Sequence, residues 1–272
     1  MRSALAALVM MIGAMFLSSA ATAQPAQASF GGEQSSAACV KDSNVDSCWQ
    51  AGVTAERRGD ASAALVAYEA SCAAGIQMGG CYEAGKIYFL NTTLRNYGAA
   101  QEKMARVCDS SDIGIGPYAC KYLGIIYRRG LAGQPQLDRA FNILSRACFL
   151  HNDSPFIDGN GCEILADDIP DADAMDVSDD VWAPDYIAYL AFAMGCTDDM
   201  PALCTRALTI HDRAVATSAG WLARCAEDAG AVHFSGRCGD LARSATVDNF
   251  DQRQALRRRL VRMFVRATEY AG

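Results

Sequence analysis

Apolar residues recur along this chain with the spacing of helix faces. In "KYLGIIYRRG", Leu123, Ile126 and Tyr127 fall on one side of a helix. The stretch "LAGQPQ" then supplies turn chemistry. In "LDRAFNILSRAC" the apolar positions Leu137, Ala140, Phe141, Leu144 and Cys148 stand 3, 4, 7 and 11 residues after the first. An earlier stretch repeats the plan: "CWQAGVTAERRG", a turn at Gly59 and Asp60, then "ASAALVAYEASC". No segment alternates apolar and polar residues as a half-buried strand does. The pattern predicts an all-α chain built from helix-turn-helix units.

The cysteines keep the same rhythm. Twelve of them form six close pairs, Cys39/Cys48, Cys72/Cys81, Cys108/Cys120, Cys148/Cys162, Cys196/Cys204 and Cys225/Cys238. The second members recur after 33, 39, 42, 42 and 34 residues, a period that signals stacked repeats. In three units a glycine follows four residues, one helical turn, after that cysteine: Cys48/Gly52, Cys81/Gly85 and Cys120/Gly124. Glycine costs a helix about 1 kcal/mol against alanine. A close approach by the partner helix is the expected compensation, near small residues such as Ala64, Ala100 and Ala140.

"ACKYLGIIYRRGLAGQPQLDRAFNILSRAC" resembles a Sel1-like repeat, and "GCYEAGKIYF" and "SCWQAGVTAERRGDASAALVAYEASC" follow the same pattern. With its paired cysteines the chain is similar to the cysteine-rich Sel1-like proteins first described in Helicobacter. The likeness is specific over Ser47 to Cys148 and loose from Cys39 to the C-terminus. Later units carry Ala166, Leu208 and Ala242 where glycine is expected, and Leu203 and Arg237 where a small residue precedes cysteine. The resemblance implies a disulfide-stapled α-solenoid of Sel1/TPR-like repeats over residues 38–272. Under the repeat reading each close pair bonds to itself, joining the end of one unit's second helix to the start of the next unit's first. The rival is pairing within a unit, Cys48 with Cys72 and so on, which strands Cys39 and Cys238.

The N-terminus reads as a leader: Arg2, an apolar run Ala4–Leu17, and an A-x-A site at Ala21-Thr22-Ala23. Cleavage there leaves a small, polar lead-in over residues 24–37 and a chain exported to the periplasm or secreted, where disulfides form readily. The leader holds one basic and no acidic residue, so the mature chain has 23 Lys+Arg against 31 Asp+Glu, a net charge of −8. That balance argues against nucleic acid as a partner. No second stretch has the length and apolarity of a stable membrane anchor.

Chemical motifs are sparse. The acidic stretch Ala166–Asp185 holds eight aspartates, but the calcium-loop pattern fails. Counted from Asp171, position six is Asp176 and position twelve is Trp182. His151, His211 and His233 are scattered, and neither S-x-x-K, G-x-S-x-G nor H-E-x-x-H occurs. No catalytic residue, cofactor or metal site is expected. The C-terminal helix carries Arg253, Arg257, Arg258, Arg259, Arg262 and Arg266, a polar face suited to capping a repeat stack. Among the aromatics of the first helices, Tyr88 and Tyr127 share the Cys/Gly face and belong to the core. Trp49, Tyr82 and Tyr122 point elsewhere and are candidates for a binding surface.

The expected function is a non-catalytic scaffold that binds a protein or peptide on a rigid concave surface lined by first helices. The resemblance also implies two alternatives. One is penicillin binding with weak β-lactamase-type hydrolysis, which turnover of a chromogenic cephalosporin would reveal. The other is an assembly or redox role for exported proteins, marked by free thiols.

Overall fold

The computed structural model describes residues 45–75, 78–110, 114–150, 158–168, 183–196, 199–231 and 238–239. The leader, the lead-in, Cys39, His151, His233, residues 169–182 of the acidic stretch and the arginine-rich C-terminal stretch lie outside them. The described residues contain ten α-helices and no strand. These are α1 (Val45–Arg57), α2 (Ala61–Ala74), α3 (Met78–Leu90), α4 (Tyr97–Cys108) and α5 (Gly116–Arg129). They continue with α6 (Leu137–Ser145), α7 (Gly159–Asp168), α8 (Pro184–Gly195), α9 (Pro201–Thr217) and α10 (Trp221–Ala231). Helix α6 runs on into a π-helical turn, Arg146–Leu150.

The helices pack in consecutive pairs, and each pair packs on the next. Local chemistry sets the breaks. Asp60 caps α2, its Oδ1 accepting the Ala63 N–H at 2.9 Å. Asn96 does the same for α4, accepting from Ala99 N at 3.0 Å. Helix α5 stops at Gly130, in the left-handed region at φ 61°, where a Cβ would lie 2.6 Å from Pro135 N. Asp60→Ala is expected to lower stability by about 1 kcal/mol in urea unfolding, the usual effect of losing an N-cap.

Five bridges are described: Cys72–Cys81, Cys108–Cys120, Cys148–Cys162, Cys196–Cys204 and Cys225–Cys238, with Cα separations of 4.5, 4.8, 4.7, 4.8 and 5.2 Å. The first four join neighbouring units, as the repeat reading implies, and the within-unit alternative is excluded for these ten cysteines. Cys48 is also disulfide-bonded. Its expected partner, Cys39, lies outside the described residues. Several disulfides in one chain fit an oxidising, extracytoplasmic compartment.

The glycines do meet the partner helix closely, but against large side chains and not the expected alanines. A Cβ on Gly52 would fall 2.5 Å from the Tyr68 ring, one on Gly85 2.9 Å from the Met104 methyl, and one on Gly124 2.6 Å from Leu144 Cγ. Tyr68, Met104 and Leu144 each stand four residues before a second-helix cysteine, and Phe192 and Trp221 occupy that place before Cys196 and Cys225. All five are buried. Ala64, Ala100 and Ala140 are buried one turn further back. Each of the five described second helices thus carries a large knob. In the first three units the knob enters the hollow left by a first-helix glycine.

A similar exchange operates across the bridges. At three bridges the residue before the first-helix cysteine approaches the residue before the bonded second-helix cysteine. A Cβ on Gly80 would sit 2.7 Å from Ser71 Cβ, and one on Gly161 3.0 Å from Ala147 Cβ. Leu203 breaks the small-residue pattern without breaking the joint. Its partner is Gly195, where a Cβ would be 2.8 Å from Leu203 Cδ1. The small residue has changed sides.

Two expected core positions differ. Leu137 is 50% exposed, as the first residue of α6 immediately after the turn. Tyr127 is buried, whereas Tyr88 is half-buried. Helix α8 is the most enclosed element, with every residue from Tyr186 to Gly195 buried. That burial matches a segment with no charged residue after Asp185.

Candidate functional site

Cys48, Cys81 and Cys120 face the core from α1, α3 and α5, so the next one or two residues emerge about 100° and 200° around each helix. Trp49, Tyr82, Lys121 and Tyr122 occupy these places. All four are half-buried. The structure brings Tyr82 and Tyr122 together across the second joint, with ring centroids 6.3 Å apart. Trp49 stands one joint earlier. Its ring is 5.4 Å from that of Tyr68 and covers Gly79, where a Cβ would come within 3.0 Å of it.

Sequence reasoning missed the other members of this face. Phe89 lies 5.1 Å from Tyr122 and 5.7 Å from Tyr97 between ring centroids, so four rings from α3, α4 and α5 form one patch. The signal was present, because Phe89 follows Tyr82 by seven residues, two helical turns along the same side. Such aromatic pairs add about 0.5–1.5 kcal/mol each beyond their buried area.

Two lysines border the rings. Lys86 Nζ is 5.4 Å from the Tyr82 centroid and 2.6 Å from Glu83 Oε2. Lys121 Nζ is 4.9 Å from the Tyr122 centroid and 5.9 Å from that of Tyr118. The Lys121 ammonium also lies 2.8 Å from Asp158 Oδ2. Asp158 is 2% exposed. Its other oxygen accepts the Gly161 N–H at 3.1 Å, fixing the carboxylate at the start of α7. Burial, then the nearby Tyr122, Glu83, Asp158 and Tyr118, raises the Tyr82 pKa above the ordinary phenol value. Its hydroxyl therefore stays protonated, and able to donate, across physiological pH.

Other polar clusters tie units together. Arg146 donates to Cys108 O and Asp109 Oδ1, both at 2.6 Å, at the end of α4. Arg106 stands at the same place two residues before its own cysteine, with Nη1 3.9 Å from Cys72 Sγ at the end of α2. Arg206 pairs with Glu163 at 3.1 Å and with Asp167, beneath a guanidinium–ring contact of 4.0 Å to Phe192. Asp185, at the far end of the acidic stretch, pairs with Arg213 at 2.8 Å.

His211 lies 3.4 Å from Asp212 and 6.1 Å, ring to ring, from Tyr189. Among the described residues no cysteine is free, and no group of histidine, cysteine and carboxylate side chains is placed to hold a metal ion. No described helix is long and apolar enough to cross a membrane. No protein-family model, curated protein or solved structure matches the chain.

Proposed function

We propose that this chain is an exported repeat scaffold of the cysteine-rich Sel1-like kind, which binds a protein or peptide segment on the aromatic face of its first helices. The observation that carries this reading is the half-buried Tyr82–Tyr122–Phe89–Tyr97 patch, built from three helices of two units. Large amphipathic rings held still at low entropic cost are what binding hot spots use. The bridges Cys72–Cys81 and Cys108–Cys120 support it, because they clamp the units on both sides of the patch. The leader-like N-terminus and the oxidised cysteines support export.

A photo-crosslinking side chain introduced at position 82 or 122, in cells that express the full chain, tests the reading. It is expected to capture the same discrete partner from both positions. Tyr122→Ala is expected to weaken that complex by about 2 kcal/mol, roughly thirtyfold in Kd. Failure of both positions to yield a reproducible partner would remove the proposal.

A further inference from the structure

The stack of helices has two edges. Cys72–Cys81, Cys108–Cys120 and Cys148–Cys162 each join the end of a second helix to the start of the next first helix, so they lie along one edge. The turns inside the units lie at the opposite ends of the same helices, about 20 Å away for a helix of 13 residues such as α3. In the first three units these turns are residues 56–60, 90–97 and 128–139. They hold six arginines, Arg57, Arg58, Arg95, Arg128, Arg129 and Arg139, and no lysine. The acids there are Glu56, Asp60 and Asp138. Six cations against three anions leave the turn edge positive, on a chain whose formal net charge is −7.

All of these arginines except the half-buried Arg128 are exposed, and none of the five exposed ones forms an ion pair among the described residues. Two of the acids are already engaged. Glu56 Oε2 accepts from the Tyr68 hydroxyl at 2.8 Å, and Asp60 caps α2. Two guanidiniums are steadied on rings, Arg95 at 5.7 Å from the Tyr97 centroid and Arg139 at 4.7 Å from that of Tyr127. At the bridge edge, by contrast, Arg106 and Arg146 are turned onto Cys72 Sγ and Cys108 O. The turn edge also carries exposed apolar side chains. Of the four large hydrophobic residues that stand exposed among the described residues, Leu90, at 53%, and Leu137, at 50%, belong to the second and third turns.

We propose that the turn edge of the first three units docks the chain on an anionic phospholipid surface, with the arginines on headgroup phosphates and Leu90 and Leu137 entering the layer beneath. This edge reaches the aromatic face at Tyr97 but is otherwise a separate surface, so the proposal goes beyond the peptide-binding reading. A guanidinium pairs with phosphate oxygens through two parallel hydrogen bonds, which an ammonium cannot do, and arginine is the only basic residue present. An acidic protein segment answers the charge alone. A bilayer surface answers both the charge and the exposed leucines, because peripheral attachment scales with buried apolar area plus attraction to anionic headgroups. The remainder of the chain is acidic, but at physiological salt its repulsion is screened beyond about 8 Å, so the edge nearest the lipid decides.

The test is co-sedimentation of the oxidised, leader-cleaved chain with vesicles of phosphatidylcholine, alone or with about 30% phosphatidylglycerol. Binding is expected only to the anionic vesicles. Replacing one exposed arginine per unit, Arg58→Gln, Arg95→Gln and Arg129→Gln together, is expected to lower the partition coefficient by about a hundredfold, roughly fivefold for each charge. Leu90→Ser with Leu137→Ser is expected to lower it roughly tenfold while the dependence on phosphatidylglycerol remains. Thermal melts establish that the variants are folded. Where one is not, arginine-directed phenylglyoxal labelling of the wild type decides, with Arg58, Arg95 and Arg129 expected to be protected by anionic vesicles. Equal binding to both vesicle types overturns the proposal, as does binding that the arginine variant leaves intact, or labelling that vesicles leave unchanged. Failure to bind either vesicle overturns it too. An oligoglutamate peptide that binds the wild type and not the arginine variant, with the vesicles left unbound, assigns the edge to an acidic protein instead. None of these outcomes touches crosslinking at positions 82 and 122, which tests the peptide-binding reading separately.

Discussion

Leu144→Ala is expected to destabilise the oxidised protein by about 3 kcal/mol, within the range for emptying a buried leucine site. Gly124→Leu alone is expected to do comparable damage for the opposite reason. Leu144 is 1% exposed and cannot swing out, yet even the first carbon added at Gly124 would lie 2.6 Å from it. The double variant moves the knob from α6 to α5 and roughly conserves volume. It is expected to lose clearly less than the sum of the singles, a coupling of about 1–3 kcal/mol in a denaturant double-mutant cycle. Gly195 and Leu203 already show a joint in which large and small residues have changed places. Strict additivity would mean that the glycine hollow and the knob act independently.

Removing one bridge is the second large effect. Cys108→Ala with Cys120→Ala opens a loop whose ends are 12 residues apart and brought to a Cα separation of 4.8 Å. The chain-entropy model assigns such a loop about 3 kcal/mol. For a chain of this size that corresponds to a fall of about 6–12 °C in Tm. The shape of the transition is also expected to change. Repeat stacks are held by neighbour contacts alone, so weakening one joint separates melting of the units before it from those after it. Calorimetry that still shows one sharp transition at the wild-type temperature would mean that side-chain packing, not sulfur, carries the second joint. Arg146 offers a non-covalent route for such packing, because it grips Cys108 O and Asp109 across that same joint.

Much of the architecture was legible because it depends on local rules. Helix period, the turn at Gly59-Asp60 and the stop at Gly130 act within a few residues, and each appears where the pattern put it. The bridges followed from the repeat period, since closely spaced cysteines at a helix end and the next helix start are near neighbours in space. The knob four residues before each second-helix cysteine was readable too. Tyr68, Met104, Leu144, Phe192 and Trp221 share size but no side-chain chemistry, and a search by residue type passes over them. Leu203 looked like a departure from the pattern until Gly195, eight residues earlier, was seen against it.

The candidate site was half legible. Tyr82 and Tyr122 stood out as large amphipathic residues off the core face, and the structure places them 6.3 Å apart. Trp49 was grouped with them but is engaged one joint away, with Tyr68 and Gly79. Asp158 could be read as a helix cap from its place before Gly159-Asn160-Gly161. That it would also hold Lys121, 37 residues earlier, could not.

By itself the sequence determined the helical class and the paired units and narrowed the cysteine pairing to two schemes, because periodicity, capping and short closed loops are properties of neighbouring residues. Only the tertiary structure decided which large residue fills which hollow, how four rings from three helices become one surface, and that a buried carboxylate neutralises the lysine beside them. Those outcomes depend on distances between residues far apart in the chain, and stacking one unit on the next is what sets such distances.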